Sequence, residues 1–228
     1  MEFLEKLRKY LVNHIGIFRV NAVRMYRRLF NDQHQLTSKT YSDRYPLLFT
    51  EASKAIGDTD KKPVKLLSFG CSTGEECFSL KKYFPAARII GADINRLNLL
   101  IAKHRNSSPD ISFIYSKPKN LLQAAPYDAI FCLSVLCRWE DTKDLPNCGA
   151  IYPFDKFDKT VQELAALIVK GGLFIIYNSN FRFEDTAAFR DFEIVRTNLP
   201  NSGFVHKFDR FNNRITEDHV HCIYRKLT

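Results

Sequence analysis

Short apolar runs alternate with segments of helical periodicity along most of the chain. The runs are rich in Ile, Leu, Phe and Val and are bounded by Gly, Pro or charged residues, which is the pattern of buried β-strands. They cover residues 65–69, 88–92, 111–115, 127–133 and 173–177. Helices are predicted between them over 75–83, 96–105 and 157–170, with Gly171 and Gly172 as the C-cap of the last. This alternation predicts an α/β fold, in which a mostly parallel sheet is covered by helices on both faces.

The last part of the chain departs from this alternation. Strands are predicted over 192–197 and 219–226, and the segment between them is rich in Gly and Asn rather than helical. Antiparallel strands can be joined without a helix, so we expect the last strand to run antiparallel to the rest.

The N-terminal part carries the pattern of amphipathic helices. Apolar residues recur in steps of three and four over residues 4–29, and a second helical segment covers 46–56. The polar loop that follows, 57–63, marks a domain boundary. We therefore predict an N-terminal helical segment, residues 1–58, that covers the ligand cleft of an α/β domain formed by residues 59–228.

The composition of the 228 residues is that of a globular protein, with 45% hydrophobic and 26% charged residues, which excludes a largely disordered chain. The formal net charge is +9, and more than half of the excess lies in residues 1–46, where nine Lys or Arg stand against four acidic residues. Such a segment is typical of a face that binds nucleic acid or a protein partner, and equally of the solvated side of a helix. Charge alone therefore does not decide the partner.

The cysteines and the length of the apolar runs indicate the cellular compartment of the protein. The six cysteines show no regular spacing and most lie in apolar segments, which indicates buried free thiols in a reducing cytoplasm. No run approaches the roughly 20 apolar residues of a membrane-spanning helix. Charges interrupt the first residues, unlike those of a secretory signal. A cytoplasmic protein without a membrane span is the expectation.

The first predicted strand runs directly into a polar turn, Gly70-Cys71-Ser72-Thr73-Gly74-Glu75-Glu76. Ligands bind at the carboxyl ends of parallel strands, and glycines let the backbone pass close to them. The turn lacks the Lys-Ser/Thr of a phosphate-binding loop and the glycine spacing of a nicotinamide site. Its two carboxylates favour a cationic or amine-bearing ligand. Asp93, at the end of the second strand, suits the hydroxyls of a ribose, and its alternative role is to cap the helix that follows.

These segments resemble class I S-adenosyl-L-methionine-dependent methyltransferases, and the glycine loop is most similar to that of the chemotaxis-receptor (CheR-type) methyltransferase family. The resemblance extends over residues 40–177 and includes Gly91-Ala92-Asp93-Ile94-Asn95, Asn120-Leu121 and Ser134-Val135-Leu136. It implies a Rossmann-like sheet, S-adenosyl-L-methionine as the cofactor and S-adenosyl-L-homocysteine as the product. The cofactor-binding residues that it implies are Thr40, Arg44, Gly70, Cys71, Ser72, Thr73, Gly74, Glu75, Asp93, Ile94, Asn120, Leu121, Leu133 and Ser134.

Roles for some of these residues follow from the resemblance. It implies Thr40 and Arg44 near the carboxylate of the methionine part, Glu75 near its ammonium group, Asp93 at the ribose and Asn120 near the adenine. It does not carry over the receptor substrate. The family's antiparallel docking subdomain has no room between the last two strands of this chain.

The sequence indicates the methyl acceptor only in outline. Trp139, Asn180 and His206 are the candidates for contact with it, no catalytic base stands out, and no metal site is predicted. The segment after the fourth strand lacks the Asn/Asp-Pro-Pro-aromatic sequence of enzymes that methylate amino groups of nucleic-acid bases. The chain also lacks the Pro-Cys pair that is typical of enzymes that methylate carbon 5 of pyrimidines. A small-molecule or protein acceptor is therefore favoured over nucleic acid. Two alternatives stay open, a non-catalytic cofactor-binding regulatory module and an RNA methyltransferase that uses the basic N-terminal segment.

Overall fold

A computed structural model of the protein describes residues 34–57, apart from residue 36, and residues 63–228. Seven strands form one sheet in the order β3-β2-β1-β4-β5-β7-β6. The strands are β1 (Lys65–Phe69), β2 (Arg88–Asp93), β3 (Ile111–Tyr115), β4 (Tyr127–Leu133), β5 (Ile168–Tyr177), β6 (Phe192–Ile194) and β7 (Ile223–Lys226). The helices are α1 (Pro46–Ile56), α2 (Glu75–Tyr83), α3 (Arg96–Arg105), α4 (Pro118–Ala124), α5 (Trp139–Thr142) and α6 (Phe154–Ala165), with 3-10 turns at Phe183–Asp185 and Ala187–Asp191.

The architecture confirms the predicted fold class. Strands β1 to β5 pair in parallel, and β7 runs antiparallel to both of its neighbours, β5 and β6. The expected strands β1, β3 and β4 and the expected helices α1, α2 and α3 have the predicted bounds. The chain crosses from β3 on one side of β1 to β4 on its other side, and this reversal creates a switch point at the carboxyl ends of β1 and β4.

The predicted helix over 157–170 is wrong at both ends. Helix α6 begins at Phe154 and ends at Ala165, and Gly171 and Gly172 lie inside β5 rather than at a helix C-cap. The reason is a bulge, since β5 pairs with β4 at Ile168 and again only from Leu173. Gly171 has a φ of +76° there, and a side chain on Gly172 would meet the backbone oxygen of Asp128 at 2.8 Å.

The two C-terminal strands are shorter than predicted, and the connection between them is mostly irregular. It is held by isolated bridges, such as that between Phe208 and Arg214, and by backbone hydrogen bonds. The short helices α4 and α5 were not predicted. Helix α4 connects β3 to β4, and α5 follows β4.

Two hydrophobic layers cover the sheet. One contains α1, α2 and α3 with buried side chains such as Phe49 and Phe131, and the other contains α4 and α6 with Tyr127 and Phe174. Helix α1 thus belongs to the same core as the sheet, whereas the predicted helical stripe over residues 4–29 lies outside the described residues. All six cysteines are free and buried, as expected. No helix within the described residues is long and apolar enough to cross a membrane.

Candidate functional site

A cleft of about 990 Å³, counting the part open to solvent, lies at the switch point. Its walls are the turn after β1, the end of β2, the end of β4 and the segment that precedes α1. Of the predicted cofactor-binding residues, the following line it: Thr40, Arg44, Gly70, Cys71, Ser72, Asp93, Ile94, Leu133 and Ser134.

The glycine turn is tied to β2 and packs closely against the turn after β4. The backbone N–H groups of Gly70 and Cys71 both donate to the oxygen of Ala92, at 2.7 and 3.1 Å. Gly70 has a φ of +80°, and a Cβ on it would lie 2.4 Å from Val135 Cγ2. Only glycine satisfies both the conformation and the space at this position. The turn therefore presents bare backbone to the cleft.

Asp93 is held in place by the backbone rather than used as a helix cap. Its Oδ2 accepts from the N–H of Ser72 at 2.8 Å, and its Oδ1 accepts from the N–H of Asn95 at 2.7 Å. Asn95 is the N-cap of α3, so the capping alternative for Asp93 is wrong. Burial raises the pKa of Asp93, and these backbone hydrogen bonds oppose the rise. Each carboxylate oxygen keeps a lone pair for a ligand in the cleft.

The two glutamates of the turn face different surroundings. Glu75, the predicted ligand for an ammonium group, pairs with Arg105 and accepts from Thr73 Oγ1 at 2.6 Å, and it does not line the cleft. Glu76 lines the cleft, and its Oε1 accepts from Ser68 Oγ at 2.7 Å. Burial raises the pKa of Glu76 to about 8, against smaller opposing effects of the Ser68 hydrogen bond and of Arg44.

Arg44 contributes a positive charge to the same cleft. Its guanidinium lies over the rings of Tyr45 and Tyr41, at 5.1 and 5.4 Å, and its Nη1 donates to the oxygen of Lys39 at 3.1 Å. Thr40 lies on the same wall. Stacking on two aromatic rings fixes a guanidinium without neutralising it, so Arg44 is available to an anionic group.

The segment before α1 is anchored by His34, which sequence reasoning missed. Both ring nitrogens of His34 form hydrogen bonds. Nδ1 lies 2.5 Å from Tyr152 Oη, and Nε2 lies 3.0 Å from Thr160 Oγ1. Burial, aided by Lys156 and Arg138, lowers the pKa of His34 to about 3, so the ring is neutral. These contacts join the cleft wall to α6 and to the loop before it.

Four other predicted cofactor-binding residues lie away from the cleft. Asn120 Nδ2 donates to the oxygen of Tyr115 at 2.9 Å, and Leu121 is buried in the core beneath α4. Thr73 and Gly74 complete the turn into α2 without lining the cleft. Ser116, which directly follows β3, lines the cleft.

The three candidate acceptor residues gather beyond β4 and β5, outside the cleft lining. Trp139 and His206 stack with ring centroids 5.4 Å apart, and Phe204 packs on Trp139 at 5.3 Å. Asn180 is fully buried beneath them, where it accepts from the N–H of Arg138 at 2.6 Å and donates to the oxygen of His206 at 3.2 Å. Asn180 thus joins the two loops that carry the aromatic residues.

The described residues contain no group of three or more side chains that could hold a metal ion. His219, one of the C-terminal histidines, lies 2.8 Å from Ser202 Oγ at Nδ1 and 3.0 Å from Glu184 Oε1 at Nε2. Both ring nitrogens are therefore engaged within the protein.

A family model described as a methyltransferase domain matches residues 67–174, from β1 into β5. No curated protein sequence matches the chain. Similar solved structures include the plantazolicin methyltransferase BpumL in complex with SAH, at 20% identity and a TM-score of 0.40, over 56% of this chain and 44% of that one. CalS10, an amino pentose methyltransferase from Micromonospora echinaspora, is similar at 17% identity and a TM-score of 0.41, over 66% of this chain and 54% of that one.

TehB from Haemophilus influenzae is similar at 16% identity and a TM-score of 0.44, over 76% of this chain and 61% of that one. The chain thus spans 44% to 61% of the length of these three proteins. The domain match covers the glycine turn, Asp93 and the end of β4, which are the parts of the chain that form the cleft. The match agrees with the methyltransferase resemblance drawn from the sequence. Residues 67–174 thus match a methyltransferase domain, and the sheet that they form is Rossmann-like.

Proposed function

We propose that this chain transfers the methyl group of S-adenosyl-L-methionine to a small-molecule or protein acceptor. The observation that carries the proposal is the set of charges around the glycine turn. Arg44, Glu76 and Asp93 line one cleft, and they suit the carboxylate, the ammonium group and the ribose of this cofactor in turn. The bare backbone at Gly70 leaves room for the cofactor between them.

This assignment moves the ammonium contact from Glu75 to Glu76. One oxygen of Glu76 accepts from Ser68, and the other has no partner among the described residues, so it is free to accept from an ammonium group. Ile94 and Leu133 supply apolar surface for the adenine. The resemblance to the CheR-type loop enters this proposal only through cofactor binding.

The residues of the cleft bind and orient rather than react. When bound, S-adenosyl-L-methionine supplies a methyl group on a sulfonium, which the lone pair of an acceptor displaces. The backbone hydrogen bonds of Asp93 and the contacts of His34 hold two walls of the cleft in place, which fixes the orientation of a bound cofactor. No proton transfer by the protein is needed for an acceptor that already carries a free lone pair.

Transfer of labelled methyl groups tests the proposal directly. Purified protein and S-adenosyl-L-methionine labelled in the methyl group are incubated with a cell extract that is then separated into small-molecule, protein and RNA fractions. We expect label in the small-molecule or protein fraction. Label in the RNA fraction would support the RNA methyltransferase alternative. Tight binding of S-adenosyl-L-homocysteine with no label in any fraction would support a regulatory module instead.

The pKa of Glu76 predicts that cofactor binding depends on pH. This pKa is about 8, so near neutral pH the carboxyl group is mostly protonated and must lose its proton to bind an ammonium group. The affinity for S-adenosyl-L-homocysteine should therefore rise between pH 6 and 7.5, by up to about tenfold per pH unit. Calorimetry in buffers of different ionisation enthalpy measures both the affinity and the released proton.

Glu76→Gln and Glu75→Gln form a matched pair for this prediction. Glu76→Gln should weaken binding at pH 7.5 and remove the pH dependence, whereas Glu75→Gln should leave the pH dependence in place because Glu75 pairs with Arg105 outside the cleft. A flat pH profile in the unmodified protein would contradict the role of Glu76.

A further inference from the structure

Three polar side chains from separate parts of the chain meet at the cleft, and we call Tyr45, Ser134 and Asn178 the hydroxyl cluster. Tyr45 Oη lies 2.6 Å from Ser134 Oγ, and Asn178 Nδ2 lies 2.9 Å from Ser134 Oγ and 3.1 Å from Tyr45 Oη. Ser134 and Asn178 directly follow β4 and β5, at the edge of the sheet where ligands bind. Tyr45 and Ser134 line the cleft, and Asn178 is fully buried.

The amide of Asn178 can have only one orientation. Its Oδ1 accepts from the backbone N–H of Phe204 at 2.8 Å, and a backbone N–H cannot accept a hydrogen bond in return. The nitrogen of the amide therefore points to the hydroxyl groups and donates to both. As a result, each hydroxyl oxygen of the cluster already accepts one hydrogen bond.

One hydroxyl hydrogen of the cluster is left over. Tyr45 and Ser134 each have one hydroxyl hydrogen, and one of the two is donated in the hydrogen bond between their oxygens, which lie 2.6 Å apart. The other has no acceptor among the described residues. Burial raises the pKa of Tyr45, so its phenol stays protonated at neutral pH. The cluster thus offers a hydrogen-bond donor to the cleft and no base.

The backbone that carries the cluster is strained. Ser134 and Asn178 have φ values of +57° and +56°, in the left-handed region that residues with a side chain rarely adopt. Hydrogen bonds hold both in place, from the N–H of Ser134 to Tyr177 and from the N–H of Asn178 to Ser202, each at 2.9 Å. Strain that the surrounding structure maintains is concentrated at ligand-binding and catalytic sites.

We propose that the hydroxyl cluster binds the methyl acceptor, by donating its unused hydrogen to an oxygen or nitrogen lone pair next to the methylated atom. This inference rests on the proposed function. An ammonium or guanidinium group has no lone pair that could accept the bond. The group that contacts the cluster is therefore neutral or anionic.

A double-mutant cycle tests the inference. In Tyr45→Phe or Ser134→Ala one hydroxyl is lost, but the survivor is released from its neighbour and still offers a hydrogen. We expect the transfer of labelled methyl groups into the accepting extract fraction to slow about threefold in each single variant. The double variant offers no hydrogen and should slow about 30-fold or more, beyond the product of the two single effects.

Cofactor affinity and a neighbouring hydroxyl serve as controls. The resemblance implied Ser134 as a cofactor contact, whereas this inference assigns it to the acceptor. The affinity for S-adenosyl-L-homocysteine, measured by calorimetry, should therefore stay within about threefold in all three variants. Tyr177→Phe removes a hydroxyl whose partner is Asn201 at 3.3 Å, from a ring that packs on Tyr45 at 5.1 Å. It should change neither quantity. If the double variant does not fold, Tyr45→Phe with Ser134→Cys keeps the volume and replaces the hydroxyl by a weak donor.

The possible outcomes separate this inference from the proposed function. Effects that only multiply in the double variant would indicate packing, and a matching loss of cofactor affinity would place the cluster at the cofactor; either result overturns the inference. Undiminished transfer by the double variant overturns the inference alone. Unmodified protein that binds S-adenosyl-L-homocysteine and labels no fraction refutes the proposed function, and the inference with it.

Discussion

Replacement of Asp93 by Ala is expected to weaken the binding of S-adenosyl-L-homocysteine about a hundredfold or more. The carboxylate is the group proposed to accept both hydroxyls of the ribose, and charge-assisted hydrogen bonds contribute about 1.5–3 kcal/mol each. The change also removes the acceptor for the N–H groups of Ser72 and Asn95, which fixes the glycine turn against β2. Calorimetry on the purified variant measures the loss.

Asp128→Ala is the matched control for this prediction. Asp128 also accepts a backbone hydrogen bond, from the N–H of Lys65 at 2.8 Å, but it stands near the beginning of β4, at the opposite end from the cleft. This variant should lose some stability and keep its cofactor affinity. The thermal unfolding transition shows whether Asp93→Ala is folded. If the folded variant binds S-adenosyl-L-homocysteine as tightly as the unmodified protein, the assignment of the cofactor site is refuted.

The central sheet could be predicted because its signals are local. Residues 65–69 and 127–133 are apolar runs bounded by polar residues or proline, and burial on both faces of a parallel sheet requires such runs. The glycine turn and Asp93 could be predicted for a related reason. Each directly follows a strand, so its place at the ligand-binding edge depends only on the strand before it.

The sequence-based predictions were wrong or incomplete where a segment's structure depends on contact with residues far away in the sequence. Gly171 and Gly172 have the form of a helix C-cap, but pairing with β4 makes them part of a bulged strand. Nothing in the segment around His34 indicates that its ring contacts Tyr152, 118 residues further along the chain. Tertiary contacts of this kind override local propensity.

The sequence itself distinguishes Glu75 from Glu76. Neighbouring residues on a helix point about 100° apart, so only one of the two can face the cleft. Ser68 is a polar residue inside an otherwise apolar strand, eight positions before Glu76, and a buried hydroxyl needs a partner. A polar residue at that place in β1 therefore indicates which glutamate turns inward.

Replacement of Gly70 by Ala is expected to lower both the stability and the cofactor affinity. Its φ of +80° costs an alanine about 1–2 kcal/mol, and the new Cβ would lie 2.4 Å from Val135 Cγ2, an overlap that costs about 1–3 kcal/mol more. Because Val135 lines the cleft, relief of the overlap moves it toward the cofactor. We expect the free energy of unfolding, from denaturant titration, to fall by about 2–5 kcal/mol, and the affinity for S-adenosyl-L-homocysteine to fall about tenfold or more.

Gly171→Ala separates the two causes. Gly171 has a similar φ of +76°, but a Cβ there would meet nothing within 4 Å, so this variant carries the conformational cost alone, about 1–2 kcal/mol, without a change in affinity. Combining Gly70→Ala with Val135→Ala removes the nearest overlapping atom and should recover part of the stability. Equal losses in Gly70→Ala and Gly171→Ala would show that backbone conformation, and not the close approach of Val135, requires glycine at the floor of the cleft.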